Sequence, residues 1–76
     1  MKTNYQVDRR DGEGKLEGYD MVKAPNIETA LKDYLGDDFT DYTLNIQRIN
    51  GKMVITATCP TETSGYIEIF RKVIKS

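Results

Sequence analysis

The stretch TLNIQRINGKMVITAT, residues 43–58, decides the fold because two β-rich segments flank the pair Asn50-Gly51. Asn-Gly in this setting is typical of a two-residue type I′ turn, so the sequence predicts a β-hairpin. With Ile49 opposite Lys52, the register of the whole hairpin follows. One face receives the pairs Ile46–Ile55, Leu44–Ala57 and Tyr42–Cys59, and the other receives Gln47–Val54, Asn45–Thr56 and Thr43–Thr58. The turn chemistry separates apolar from polar residues, so two independent signals agree.

A third strand is predicted at residues 66–74, after a loop at residues 60–64. A five-residue loop fixes the register of this strand against the hairpin. The resulting pairs are Ala57–Ile67 and Ile55–Ile69 on the apolar face, and Val54–Phe70 and Lys52–Lys72 on the other. The second half of the chain is therefore predicted to form a three-stranded antiparallel meander.

A short helix is predicted at residues 27–35, ahead of the hairpin. Apolar residues at i, i+3, i+4, i+7 and i+8 form one stripe along it. They are Ile27, Ala30, Leu31, Tyr34 and Leu35. Asn26 is a suitable N-cap, and Gly36 is placed to end the helix. We expect the apolar stripe to cover the apolar face of the meander.

The first part of the chain is predicted to form another hairpin, with strands at residues 4–10 and 16–23. The turn Asp11-Gly12-Glu13-Gly14 separates them, and Gly18 indicates a bulge. The sequence leaves open whether this hairpin joins the meander in one sheet. The predicted fold is α+β in two layers, with one α-helix packed on an antiparallel β-sheet and the order β-β-α-β-β-β. The 76 residues are predicted to form one small domain spanning residues 1–76.

Composition predicts a soluble globular protein. The chain is 38% hydrophobic and 30% charged, which favours a folded chain over a disordered one. The longest apolar run is three residues, 53–55, far short of a membrane span. Cys59 has no second cysteine with which to form an internal disulfide, and this fits a reducing compartment. We therefore expect a cytoplasmic protein.

The residue types argue against catalysis. The chain has no histidine, so it lacks the usual general base and the commonest transition-metal ligand. Glycines 12, 14 and 18 do not have the spacing of a dinucleotide-binding loop, and no helix is predicted to follow them. The acidic clusters lack the spacing of a calcium loop. The sequence predicts no enzyme activity, no cofactor and no metal site.

Charge is distributed unevenly along the chain. Residues 26–45 contain five acidic side chains and one basic side chain, a balance of −4. Residues 46–76 contain five basic and two acidic side chains, a balance of +3. Such a division favours interaction with a charged partner.

The first hypothesis is a small non-catalytic protein-binding module of the adaptor or inhibitor type. Its interface is expected on the sheet face that points away from the helix, where aromatic side chains can act as anchors. The candidate residues on that face are Lys52, Val54, Tyr66, Phe70 and Lys72. A second candidate surface is the acidic patch at the helix end, formed by Asp37, Asp38 and Asp41. The expected partner is an unidentified protein.

Two alternatives stay open. Bases of single-stranded nucleic acid could stack on Tyr66 and Phe70 while Lys52, Arg71, Lys72 and Lys75 contact phosphates. Against this, RNP-type motifs are missing and the net charge is −1. The other alternative is a homodimer or larger homo-oligomer, formed through a free edge of the last strand.

Overall fold

The α+β class and the predicted order of elements are confirmed. The computed structural model of the protein describes residues 2–59 and 65–72. The elements in chain order are β1 (Thr3–Arg10), β2 (Leu16–Ala24), α1 (Ile27–Leu35), a 3₁₀ segment (Gly36–Asp41), β3 (Thr43–Ile49), β4 (Lys52–Thr58) and β5 (Tyr66–Arg71). The predicted loop at residues 60–64 and the predicted end of the last strand, residues 73–74, lie outside the described residues. So does Lys75.

The described strands form one antiparallel sheet in the order β2-β1-β5-β4-β3. The N-terminal hairpin therefore joins the meander, and it does so through β1, which pairs with β5. Strand β5 pairs with β1 along one edge and with β4 along the other. The sequence left open whether the last strand has a free edge, and the structure shows that β1 occupies it. Among the described residues, β5 therefore has no free edge to offer to a second copy.

The register predicted from the Asn50-Gly51 turn is confirmed from Thr43–Thr58 to Ile49–Lys52. Both turn residues have positive φ, 53° at Asn50 and 77° at Gly51, as a type I′ turn requires. The predicted pairs between β4 and β5 are confirmed as far as Val54–Phe70.

The predicted Lys52–Lys72 pair does not form part of the ladder. Strand β5 ends at Arg71, one residue earlier. The backbone N–H of Lys72 instead donates to the carbonyl of Asn4, at 2.9 Å. The end of β5 therefore follows its pairing with β1. The register between β4 and β5 does not extend to Lys52 and Lys72.

The helix begins and ends as predicted. The Asn26 side chain accepts a hydrogen bond from the Thr29 N–H at 2.8 Å, which satisfies one of the unpaired donors of the first turn. Gly36 ends the helix with φ 62°, and its N–H bonds to the Lys32 carbonyl. The 3₁₀ segment that follows was not predicted. Its Phe39 packs against the core, with the Lys32 ammonium 5.4 Å from the ring centroid.

The core lies between α1 and the centre of the sheet. Its buried members are Tyr5, Val7, Ala24, Ala30, Leu31, Ile55, Ala57 and Ile69. The expectation that the helix covers the whole apolar face is wrong at β3, where Leu44 and Ile46 are 37% and 62% exposed. A helix is about 10 Å wide with its side chains, whereas five strands span about 19 Å. One helix packed on β2 and β5 therefore leaves the β3 side of this face uncovered.

Candidate binding face

The sheet face that points away from the helix carries a groove of about 370 Å³. We call this sheet face the open face and this cavity the open-face groove. Its apolar wall consists of Ile49, Val54 and Phe70. Its charged lining consists of Asp8, Arg10, Lys52 and Glu68. Four strands contribute these side chains, so the groove depends on the full sheet order.

Arg10 organises the charged part of the groove. Its Nε donates to Glu68 Oε1, its Nη2 lies 3.8 Å from Asp8 Oδ2, and its Nη1 donates to the Gly14 carbonyl at 2.9 Å. Asp8 is 6% exposed, and it also accepts a hydrogen bond from Gln6 Nε2 at 2.7 Å. A guanidinium with three partners is held in one orientation. The floor of the groove is thus a fixed charge cluster of one cation and two carboxylates.

The structure brings together three of the five residues predicted on this face. Lys52, Val54 and Phe70 all line the open-face groove. Tyr66 instead lines a separate hollow of about 140 Å³. Lys72 is exposed beyond the end of β5. Their roles in binding stay predictions.

Tyr66 and Phe70 are less accessible than the sequence suggested. Both are half-buried instead of exposed. Their neighbours explain the difference, since β1 lies beside β5 and pairs Arg10 with Tyr66 and Gln6 with Phe70. The two aromatic rings therefore act as walls of shallow cavities, not as projecting anchors.

The acidic patch of Asp37, Asp38 and Asp41 lies on the 3₁₀ segment, and all three residues are exposed. This segment packs on the helix side of the sheet through Phe39. The patch and the open-face groove therefore occupy opposite sides of the molecule. They form two separate candidate surfaces.

Sequence reasoning missed three exposed apolar residues on β2. Leu16, Tyr19 and Met21 lie on the open face beside β1. The register shifts between Arg9 and Arg10, so that Arg9 pairs with Gly18 and Arg10 with Leu16, and Glu17 is the extra residue. This bulge lies beside Gly18, as predicted, and it places Leu16 on the same face as Tyr19. The irregular alternation of apolar and polar residues in β2 is the sequence feature that indicates this exposed apolar set.

The nucleic-acid alternative receives less support from this geometry. Glu68 lies between Tyr66 and Phe70 along β5, and Asp8 is its partner on β1. Two carboxylates between the aromatic rings would repel the phosphates of a stacked strand. This alternative stays an untested prediction.

Tyr34 connects α1 to the edge strand β2. Its hydroxyl donates to Asp20 Oδ2 at 2.8 Å, and Arg9 Nε lies 3.5 Å from the same oxygen. Burial, the hydrogen bond and the negative charge of Asp20 together raise the pKa of Tyr34 to about 12. The phenol therefore keeps its proton at neutral pH, and its hydrogen bond to Asp20 positions α1 on the sheet.

No protein-family model, curated protein or solved structure matches this chain. Across residues 2–59 and 65–72, no helix is long and apolar enough to cross a membrane. The same residues contain no group of three or more side chains arranged to hold a metal ion. The candidate site is thus defined by the geometry of the open face.

Proposed function

We propose that this protein is a small non-catalytic protein-binding module, of the adaptor or inhibitor type, and that its interface is the open-face groove. The observation that carries the proposal is the combination of an apolar wall with a fixed charge cluster. Interfaces concentrate their energy in such places, where an apolar anchor fills a pocket beside a polar group that selects its orientation.

The shape of the groove supports a protein partner over a small molecule. A small-molecule site buries most of its ligand between several walls. A groove on one face of a sheet leaves the outer side of any occupant exposed. A partner protein can cover that side with the rest of its own surface.

Charge gives the partner a second point of contact. Lys52 is exposed at the rim of the groove, and the acidic patch lies on the other side of the sheet. Exposed charges of this kind affect the rate of association and its salt dependence more than the affinity. We place the protein in the cytoplasm, a proposal supported by the single cysteine.

The test is affinity capture from a lysate of the source organism, with and without nuclease, using the tagged full chain. A protein partner that resists nuclease and is lost with Phe70→Ala is the expected result. Tyr19→Ala is the matched control, because it removes an exposed aromatic side chain from the same face outside the groove. Capture that is unaffected by Phe70→Ala, or that depends on nucleic acid, would contradict the proposal.

A second pair of variants guards against a loss of fold, because Phe70 is half-buried. Lys52→Glu reverses an exposed charge at the groove, and Lys23→Glu reverses an exposed charge on β2. We expect Lys52→Glu to reduce capture and Lys23→Glu to leave it unchanged. Circular dichroism of all four variants then separates lost binding from lost structure.

A further inference from the structure

Strand β3 is an unusually accessible edge. Among the strands of residues 2–59 and 65–72 it is the outermost on its side of the sheet, and all seven of its residues are exposed. Its sequence TLNIQRI contains neither proline nor glycine and only one charged residue, Arg48. Edge strands are normally protected from pairing by charges, prolines or bulges.

The other edge strand, β2, is protected in this way. It carries Glu17, Asp20 and Lys23, and it is interrupted by the bulge at Glu17. Bulges and charges on an edge prevent a second strand from adding to it. The two edges of the sheet therefore differ, and β3 is the edge that is open to pairing.

An apolar surface adjoins this edge on the helix side of the sheet. Leu44, Ile46 and Met53 form it, and they are exposed by 37%, 62% and 40%. We call these three residues the β3 patch. They share the face of the core residues Ile55 and Ala57, and they stay exposed because α1 packs mainly on β2 and β5. Contiguous exposed apolar residues beside an open strand edge mark an interaction surface.

We propose that the occupant is a second copy of this chain, with β3 pairing antiparallel to β3 of the other copy about a two-fold axis at Ile46. The two five-stranded sheets then become one continuous sheet. The β3 patches of the two copies meet on the helix side. The β3 patch lies on the opposite face of the sheet from the open-face groove. Strand β3 contributes only Ile49 to that groove, and the proposal does not rest on the proposed function.

The hydrogen-bonding pattern selects this register. Residues that flank a two-residue turn form a hydrogen-bonded pair, so Ile49 bonds inward to Lys52, and alternate residues of β3 do the same. The backbone groups of Leu44, Ile46 and Arg48 therefore point outward. Centring the axis on Ile46 pairs Ile46 with its own copy and Leu44 with Arg48 in both directions. All three outward-pointing residues are then bonded.

Charge favours the same antiparallel arrangement. The acidic patch lies just before β3, and Arg48 lies near its end, followed by Lys52 after the turn. Antiparallel pairing brings the acidic start of one strand to the basic end of the other, twice. A parallel pair would place acid beside acid. The uneven charge distribution of the chain is thus complementary to itself, and this identifies a second copy as the partner.

The first test measures the mass of the full chain in solution over a range of concentrations by sedimentation equilibrium. We expect a dimer for the natural sequence. Ile46→Lys places two ammonium groups at the axis, and like charges facing each other across an interface weaken it, so the dimer dissociation constant should rise about 100-fold. Met21→Lys is the matched control, because Met21 is 46% exposed on the other edge strand.

The outcomes decide the proposal. A dimer that Ile46→Lys dissociates and Met21→Lys preserves, with unchanged circular dichroism in both, supports it. A monomer at every concentration overturns it, and so does a dimer that survives Ile46→Lys. A dimer that dissociates with Met21→Lys alone would assign the interface to β2 and also overturn it.

A second test examines the register by disulfide cross-linking, in a Cys59→Ala background. The proposed register places Asn45 of one copy opposite Gln47 of the other in a non-hydrogen-bonded pair, with Cα atoms about 4.5 Å apart, within disulfide range. Under oxidation, a mixture of Asn45→Cys and Gln47→Cys chains should form a covalent dimer, whereas neither variant should do so alone. Efficient cross-linking of either variant alone, or none in the mixture, would contradict the register.

Discussion

At the scale of single residues, the phenol of Tyr34 gives the fold a pH dependence. Its pKa is raised from 10.0 to about 12 by burial and by its contact with Asp20. Because the folded pKa exceeds the usual one, this stabilisation is complete below pH 10 and is lost as the pH rises towards 12. We expect Tyr34→Phe to lower the free energy of unfolding by about 1 kcal/mol at neutral pH.

Urea unfolding of both proteins between pH 7 and pH 12 measures this effect. The stability advantage of the natural sequence should shrink above pH 10. If the two curves run parallel through that range, the Tyr34–Asp20 hydrogen bond does not contribute to stability as described.

Arg10 is the other residue on which a prediction rests, because it holds Asp8 and Glu68 together beneath the groove. Removing it leaves a buried carboxylate beside a second one. We expect Arg10→Ala to lower the free energy of unfolding by about 2–3 kcal/mol. Arg9→Ala is the control, since the Arg9–Asp20 ion pair is half-exposed and such pairs contribute less than about 1 kcal/mol. Equal losses in urea unfolding would mean that Arg10 has no special role.

At the scale of elements, local sequence signals are sufficient to predict the bounds of α1 and the register of the β3–β4 hairpin. The α1 boundaries follow from the Asn26 cap and from the positive φ available at Gly36, both of which act within one turn of the chain. The β3–β4 register follows from a two-residue turn that admits one pairing. The 3₁₀ segment was missed because Phe39 holds it through tertiary packing, which the sequence pattern does not show. Elements fixed by neighbouring residues are predictable, and those fixed by distant ones are not.

The residues of the candidate site also fall into two groups, those that local signals place and those that long-range pairing places. Lys52, Val54 and Phe70 could be placed together because the turn and a short loop set their register. Asp8 and Arg10 could not, because β1 reaches β5 only through a pairing between residues about 60 positions apart in sequence. The exposed β2 residues were missed for a related reason, since the bulge at Glu17 changes their period. The β4 and β5 side of the open-face groove is therefore predictable from the sequence, whereas its β1 side depends on tertiary structure.

At the scale of the whole molecule, the strand order sets where the sheet resists opening. Strand β5 is bonded on both sides and bears the buried Ile69, whereas β2 is bonded on one side and is mostly exposed. Amides bonded at the centre of a sheet are released only when most of the structure opens, while those at an edge are released by local fraying. We expect hydrogen exchange to be slowest in β5 and its neighbours β1 and β4, and fastest in the outward-pointing amides of β2.

Residue-resolved exchange measured by NMR checks this order, and the monomeric Ile46→Lys variant removes any protection that β3 gains from a second copy. In that variant the outward amides of Leu44 and Arg48 should exchange as fast as those of β2. In the natural sequence they should be slower, and increasingly so with concentration. Amides of β5 that exchange as fast as those of β2 would contradict the central position of β5, on which both the open-face groove and the exposed β3 edge depend.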